Sequence, residues 1–229
     1  MPNSDEWIRK DEPPEEVYLC LLDVLGFRSF VHGKHLRTVA KALGDAKAKS
    51  SQEIPDDVDD EHAPESLMFS DSVLFWADGE DASHLDGLAR TAQSFYAALF
   101  QDGLLLRGAI VRGELSIASE GEVIVGEGLI RAYELEQGQK WGGIVLDPRL
   151  SRDGVDGLDD LHDQGVLVEH DVPWASNPSP RPHTVVCWPE NCQVTRAELR
   201  EAFYDSFPKM AEDGRAKLAA TLQFFDEYA

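Results

Sequence analysis

The pattern of apolar and polar positions changes period several times along the chain. "VYLCLLDVLGF" (17–27) is a continuous apolar run that reads as a strand ending at Asp23 and a glycine turn. "FRSFVHGKHLRTVAKALGDAKAK" (27–49) then repeats its apolar residues at helical spacing. A loop, "SSQEIPDDVDDEHAPE", follows, carrying Pro55, Pro64 and a group of acids. Those acids match no calcium-loop spacing and lack its central glycine. Two short strands, "SLMF" and "VLFWA", meet at Ser70-Asp71-Ser72. "DASHLDGLARTAQSFYAALFQDG" (81–103) predicts a helix with an acidic start and Gly103 at its end. "LLLRGAIVRGELSIAS" predicts a strand with a kink at Gly108, "EVIVGEG" a short strand, "GLIRAYELEQ" a helix and "GGIVLDP" a strand stopped by Pro148.

This order predicts an α+β fold, a ferredoxin-like βαββαβ core with helices on one face of an antiparallel sheet. The expected organisation is a loose N-terminal tail at 1–15, a core at 16–150, and a C-terminal α/β extension at 151–229 packed on the core. Within the extension, "GVLVEH" and "TVVCWP" read as strands between Pro/Gly-rich loops, and a helix is expected from about Thr195.

Composition narrows the classes of function. Net charge is −22, from 21 basic and 43 acidic residues, which disfavours nucleic acid and anionic membrane as partners. An anionic substrate then needs a local cation. No apolar run is long enough to span a bilayer, and the N-terminus does not resemble a signal peptide. The three cysteines cannot all pair within one chain. Cys187 and Cys192 lack a second metal-ligand pair nearby. A cytoplasmic protein is the expectation. No Ser-His-Asp pattern or phosphate-binding Gly-Lys-Ser/Thr loop stands out, and His32 and His35 read as a surface pair.

The chemistry concentrates on two aspartates. Asp23 ends the first strand, and Asp71 sits at the turn of a hairpin expected beside it. Unpaired carboxylates that close repel, and one must protonate. A divalent cation resolves the conflict, since Mg²⁺ takes one or two carboxylates and completes its shell with phosphate oxygens. Two such ions are a common apparatus for displacement at phosphorus. The backbone from Asp23 to Phe27 adds amides at a helix start, which suit phosphate. The plainer alternative is that each aspartate shapes its own turn. Pattern alone leaves both readings open.

"LLDVLGFRSF", "FSDSVLFW", "LLRGAIVRGELSI" and "VGEGLIRAYELE" resemble, in order, four motifs of class III nucleotide cyclases over about residues 16–150. The last keeps Gly126, Ala132, Leu135 and Glu136 in register. Departures are informative. Leu67 stands where purine cyclases carry a base-reading Lys, and Val123 where they carry a second base-reading Asp. Ile130 and Glu134 occupy the positions of their transition-state Asn and Arg. In its "DVLGF", "SDS", "RGA" and "AYELE" stretches the chain is similar to the pyrimidine cyclases of the Pycsar anti-phage system.

That resemblance implies conversion of UTP to 3′,5′-cyclic UMP and pyrophosphate, a second messenger for phage defence. CTP, a purine triphosphate, or an inactive sensor or dimerisation module are the successive alternatives. It further implies two Mg²⁺ or Mn²⁺ ions on Asp23, Asp71 and the Val24 carbonyl. The backbone of Val24, Leu25, Gly26 and Phe27 would surround the triphosphate. Arg131, Arg107 and Arg112 are the candidate catalytic cations, and Phe69, Trp76 and Tyr133 candidate walls for the base. A head-to-tail homodimer with shared sites and a separate effector sensing the cyclic product complete the expectation.

Overall fold

The computed structural model describes residues 15–33, 36–51, 63–79, 81–118, 123–206 and 210–229. The N-terminal tail to residue 14, the acids at 52–62 and His35 lie outside the described residues. β1 (Glu15–Leu25) runs antiparallel between β3 (Ser72–Ala77) and β4 (Leu105–Ala118). With a strand on either side and a helix on either face, β1 is buried from Val17 to Cys20 and again at Leu22 and Val24. Burial on both faces is why its sequence shows an apolar run rather than alternation.

Among the described residues the sheet has eight strands, in the order β2-β3-β1-β4-β6-β8-β7, with β5 paired to β4 off this path. Here β2 is Glu65–Phe69, β5 Val123–Val125, β6 Ile144–Leu146, β7 Leu167–Trp174 and β8 Asn177–Val186. Within the helical stretch expected at 27–49 the described residues form α1 (Phe27–Gly33) and α2 (Leu36–Ser50). α2 packs against α3 (Ala82–Gln101). Directly opposed residues of neighbouring strands point to the same side, which identifies the two faces. Phe75, opposite Cys20, meets Phe95 of α3 edge-on at 5.3 Å, so α3 covers the Cys20 side. α4 (Glu127–Gly138) covers the Leu19 side, where a Cβ on Gly128 would stand 2.8 Å from Leu19 Cδ2. The one-face arrangement expected of the helices therefore describes α2 and α3, while α4 lies across the opposite face.

The kink expected at Gly108 is replaced by a straight ladder, in register from Leu25–Leu105 to Glu15–Leu115. The glycine answers a close approach instead. A Cβ there would fall 2.3 Å from Leu22 Cδ2 and 2.5 Å from the Leu21 carbonyl oxygen.

β8 begins earlier than expected, inside a proline-rich segment that reads as a loop. Its bond to β6 is confined to the Val145–Val185 pair, while β7 lines it from Asn177 to Val186. Pro180 and Pro182 fall on alternate positions. In an antiparallel pair such positions turn their nitrogens to the side away from the partner, where no ladder donor is needed. After β6 come α5 (Pro148–Arg152) and α6 (Leu158–Asp163). The C-terminal helix resolves into α7 (Arg196–Ser206) and α8 (Glu212–Tyr228). Trp188, just after β8, stacks on Tyr96 with centroids 4.4 Å apart, and Phe225 of α8 lies 5.9 Å from Phe100. These aromatic contacts join the extension to α3.

Candidate active site

The site grows from the end of β1. The register sets Asp23 opposite Ser72 on one side and Arg107 on the other. The Val24 amide then donates to the Asp71 carbonyl oxygen at 2.9 Å, which ties the β2–β3 turn to the β1 end. Ser70, beside Asp71, adopts φ 58°, and is the one non-glycine residue in the left-handed region among the described residues. That conformation costs about 1 kcal/mol or more in an L-residue. The tight two-residue turn holds Asp71 beside the β1 terminus.

Asp23 points to the α4 face together with Arg107, and α4 contributes Glu136. Arg107 is buried and donates from Nε to Glu136 Oε1 at 2.5 Å and from Nη1 to the Gln139 carbonyl at 3.1 Å. Gln139 donates to the Gly108 carbonyl at 2.8 Å and accepts from the Trp141 indole at 2.8 Å. The guanidinium is thereby fixed within a satisfied network. Asp23 is less compensated. Its carboxyl is pushed up to about 6, chiefly by burial, then by the negative charges of Glu136 and Asp71, with Arg107 and Lys217 opposing. Burial also raises Glu136, against the pull of Arg107.

The two carboxylates are the candidate ligands for a hard divalent cation. Asp23 ends β1 and Asp71 sits in the adjoining β2–β3 turn, near enough that its charge raises Asp23. Among the described residues no group of three or more His, Cys, Asp or Glu side chains could hold a metal ion. A two-carboxylate set is what Mg²⁺ uses when water and substrate phosphates complete its shell. Val24 to Phe27 lie at the same end, where Gly26 turns the chain into α1 with φ 74°.

The other arginines sit elsewhere. Arg131 binds the buried Asp147 through two hydrogen bonds, of 2.8 and 3.1 Å. Asp147 also caps α5 by accepting from the Arg149 amide at 3.0 Å. Arg112 lies opposite Tyr18, on the other face from Asp23, and bonds Glu16 at 2.9 Å. Of the aromatic residues, Trp76 is buried, while Phe69 and Tyr133 are exposed. His32 is exposed on α1. Cys187 and Cys192 are free thiols, each pushed up to about 12 chiefly by burial. A groove of about 700 Å³ between the β7–β8 hairpin and α8 is walled by Glu169, Asp171 and Glu227, and neither Asp23 nor Asp71 lines it. Its acidic lining suits no phosphate.

Sequence reasoning gave Glu136 no role beyond its register in the helix motif, and passed over Lys217, though the charges of both act on Asp23. Both lie on the buried stripe of an amphipathic helix. Glu136 follows Ala132 and Leu135, while Lys217 precedes Thr221 and Phe224. A charge on an apolar stripe was the available signal.

No protein-family model matches the chain, and no curated protein matches it significantly. Solved structures do match. A bacterial light-regulated adenylyl cyclase superposes with TM-score 0.51 at 10% identity, over 85% of this chain and 100% of the other. A second structure of a bacterial light-regulated adenylyl cyclase gives TM-score 0.53 at 11% identity, over 86% of this chain and 59% of the other. The adenylate/guanylate cyclase/hydrolase from Silicibacter pomeroyi gives 0.50 at 14%, over 76% and 98%. The chain has the nucleotide cyclase fold. Leu67, Val123 and Ile130 are exposed at the surface. Among the described residues no helix is long and apolar enough to cross a membrane.

Proposed function

We propose that the protein is a nucleotide cyclase acting on a pyrimidine nucleoside triphosphate, UTP before CTP, and that its cyclic product signals in antiviral defence. The observation that carries the reading is the convergence of Asp23 and Asp71 at one sheet end, joined through the Val24–Asp71 backbone bond. The cyclase fold supports it.

Asp23, Asp71 and the Val24 carbonyl would hold Mg²⁺ or Mn²⁺, which when bound supplies Lewis acidity toward the ribose hydroxyl and the phosphates. The chain's own residues do the rest. Backbone from Val24 to Phe27 orients the triphosphate. Arg107 adds a fixed positive charge beside Asp23, held by Glu136 so that it needs no reorganisation during reaction. Arg131 remains a candidate cation for a neighbouring subunit's substrate and Arg112 a further candidate, each already paired within its own chain. Leu67 and Val123, in place of Lys and Asp, remove the purine-reading groups, and exposed Phe69 and Tyr133 offer apolar surface against which a small base can pack. The proposed assembly is a homodimer with shared sites, in the cytoplasm, acting on its effector only through the product.

The test is incubation of the purified protein with ATP, GTP, CTP and UTP separately in Mn²⁺, with products identified by mass spectrometry. Cyclic UMP or cyclic CMP is the expected product. Cyclic product from ATP or GTP alone would overturn the pyrimidine assignment, and none from any substrate the cyclase reading. Asp71→Asn is expected to lower turnover at least a hundredfold with an unchanged circular dichroism spectrum.

A further inference from the structure

The three arginines singled out from sequence are each engaged by a carboxylate of the same chain, through Glu136, Asp147 and Glu16. A polyanion at Asp23 and Asp71 still needs a cation that can move to it, and the C-terminal helix carries one. α8 places Lys217, Thr221 and Phe224 on a single stripe. Thr221 Oγ1 accepts from the Gly142 amide at 2.7 Å and donates to the Lys217 carbonyl at 2.9 Å. Phe224 meets Trp141 edge-on at 5.2 Å. Gly142 in turn lies against the start of β4, so closely that a Cβ would stand 2.8 Å from the Leu106 carbonyl oxygen. Leu106 is the cross-strand partner of Val24. These contacts fix the Lys217 stripe at the sheet end where Asp23 and Arg107 emerge.

The Lys217 side chain is only 14% exposed, and its ammonium pairs with Asp213 Oδ2 at 2.7 Å. Asp213, 64% exposed, is shared with Lys140 at 3.8 Å. The Lys217 charge also acts on both Asp23 and Glu136. Lysine is a compact charge on a flexible stem, able to leave an exposed carboxylate for a phosphate. Arg107, locked in its network, has no such freedom.

We infer that Lys217 binds the terminal phosphates of the substrate at the Asp23–Asp71 site, exchanging Asp213 for the triphosphate, an assignment that rests on the function proposed above. It gives the C-terminal extension a part in the site. Calorimetric titration of the full chain in Mn²⁺ with inorganic tripolyphosphate and, separately, with UMP tests this. Lys217→Gln is expected to weaken tripolyphosphate binding about tenfold or more and leave UMP binding unchanged, while Lys217→Arg stays within about threefold of wild type. Thermal unfolding of each variant controls for folding. Equal tripolyphosphate affinity in wild type and Lys217→Gln overturns the assignment. So does a loss of UMP and tripolyphosphate binding together, or a wild type that binds no tripolyphosphate. A wild type that binds tripolyphosphate through Lys217 yet cyclises no nucleotide overturns the cyclase reading alone.

Discussion

Asp23 stores a conflict that can be measured without any metal. Its proton affinity is raised to about 6 by burial and by the charges of Glu136 and Asp71, against about 3.9 in an unfolded chain. The fold therefore favours the protonated form. That contribution is fully present below the unfolded value and is lost as pH rises through about 6, leaving an ionised Asp23 that destabilises the metal-free protein at neutral pH. Asp23→Asn removes the charge, and so should raise stability in chelator at pH 7.5 by about 1 to 2 kcal/mol, an amount moderated by the side chain's partial exposure. At pH 4 most of the gain should be gone. Urea denaturation at the two pH values checks both halves, and a mutant no more stable than wild type at pH 7.5 would show that the conflict does not exist. That the two aspartates come together was legible in sequence, because each interrupts an apolar run expected on neighbouring strands. Lys217 and Glu136 were not, since a single charge within an amphipathic helix reveals its partner only when another element is docked against it.

Between elements, the joint that matters most is α4 on β4. The Arg107–Glu136 pair sits there with side chains 7% and 1% exposed, and breaking a buried pair strands the remaining charge. Glu136→Ala is expected to cost about 3 to 5 kcal/mol, whereas Arg107→Met with Glu136→Leu should recover most of that, since neither charge is left unpaired. Denaturant unfolding of the singles and the double checks this, and a double mutant as unstable as Glu136→Ala alone would mean that shape, not charge, holds the joint. Strand and helix types through the core were readable because their periods are long and clean. The proline-rich start of β8 was hidden. Whether a proline is tolerated in a strand depends on which side faces a partner, and that is known only once β6 and β7 are in place.

For the whole molecule, charge and exposed apolar surface pull in opposite directions. Each chain carries −22, so two copies repel at long range. Yet α4 exposes Ile130 and Tyr133 at 62% and 56%, and the β4–β5 hairpin exposes Val125 at 57%. Exposed apolar residues of this kind, carried on an element next to the site, suit a contact with a second copy. If that contact makes the homodimer, association is driven by apolar burial and opposed by net charge, and salt should strengthen it. Raising ionic strength from about 0.01 to 0.1 M shortens the screening length from about 30 to about 10 Å. The dimer dissociation constant should fall several-fold over that range, the reverse of what an interface held by opposite charges would show. Sedimentation equilibrium at the two salt concentrations measures it, and Ile130→Glu combined with Tyr133→Glu should leave a folded monomer. A dimer that salt weakens would assign the interface to ion pairs. A wild type monomeric at every concentration that supports turnover would mean that one chain holds a complete site, and that the residues at positions 130 and 134 have no partner to serve.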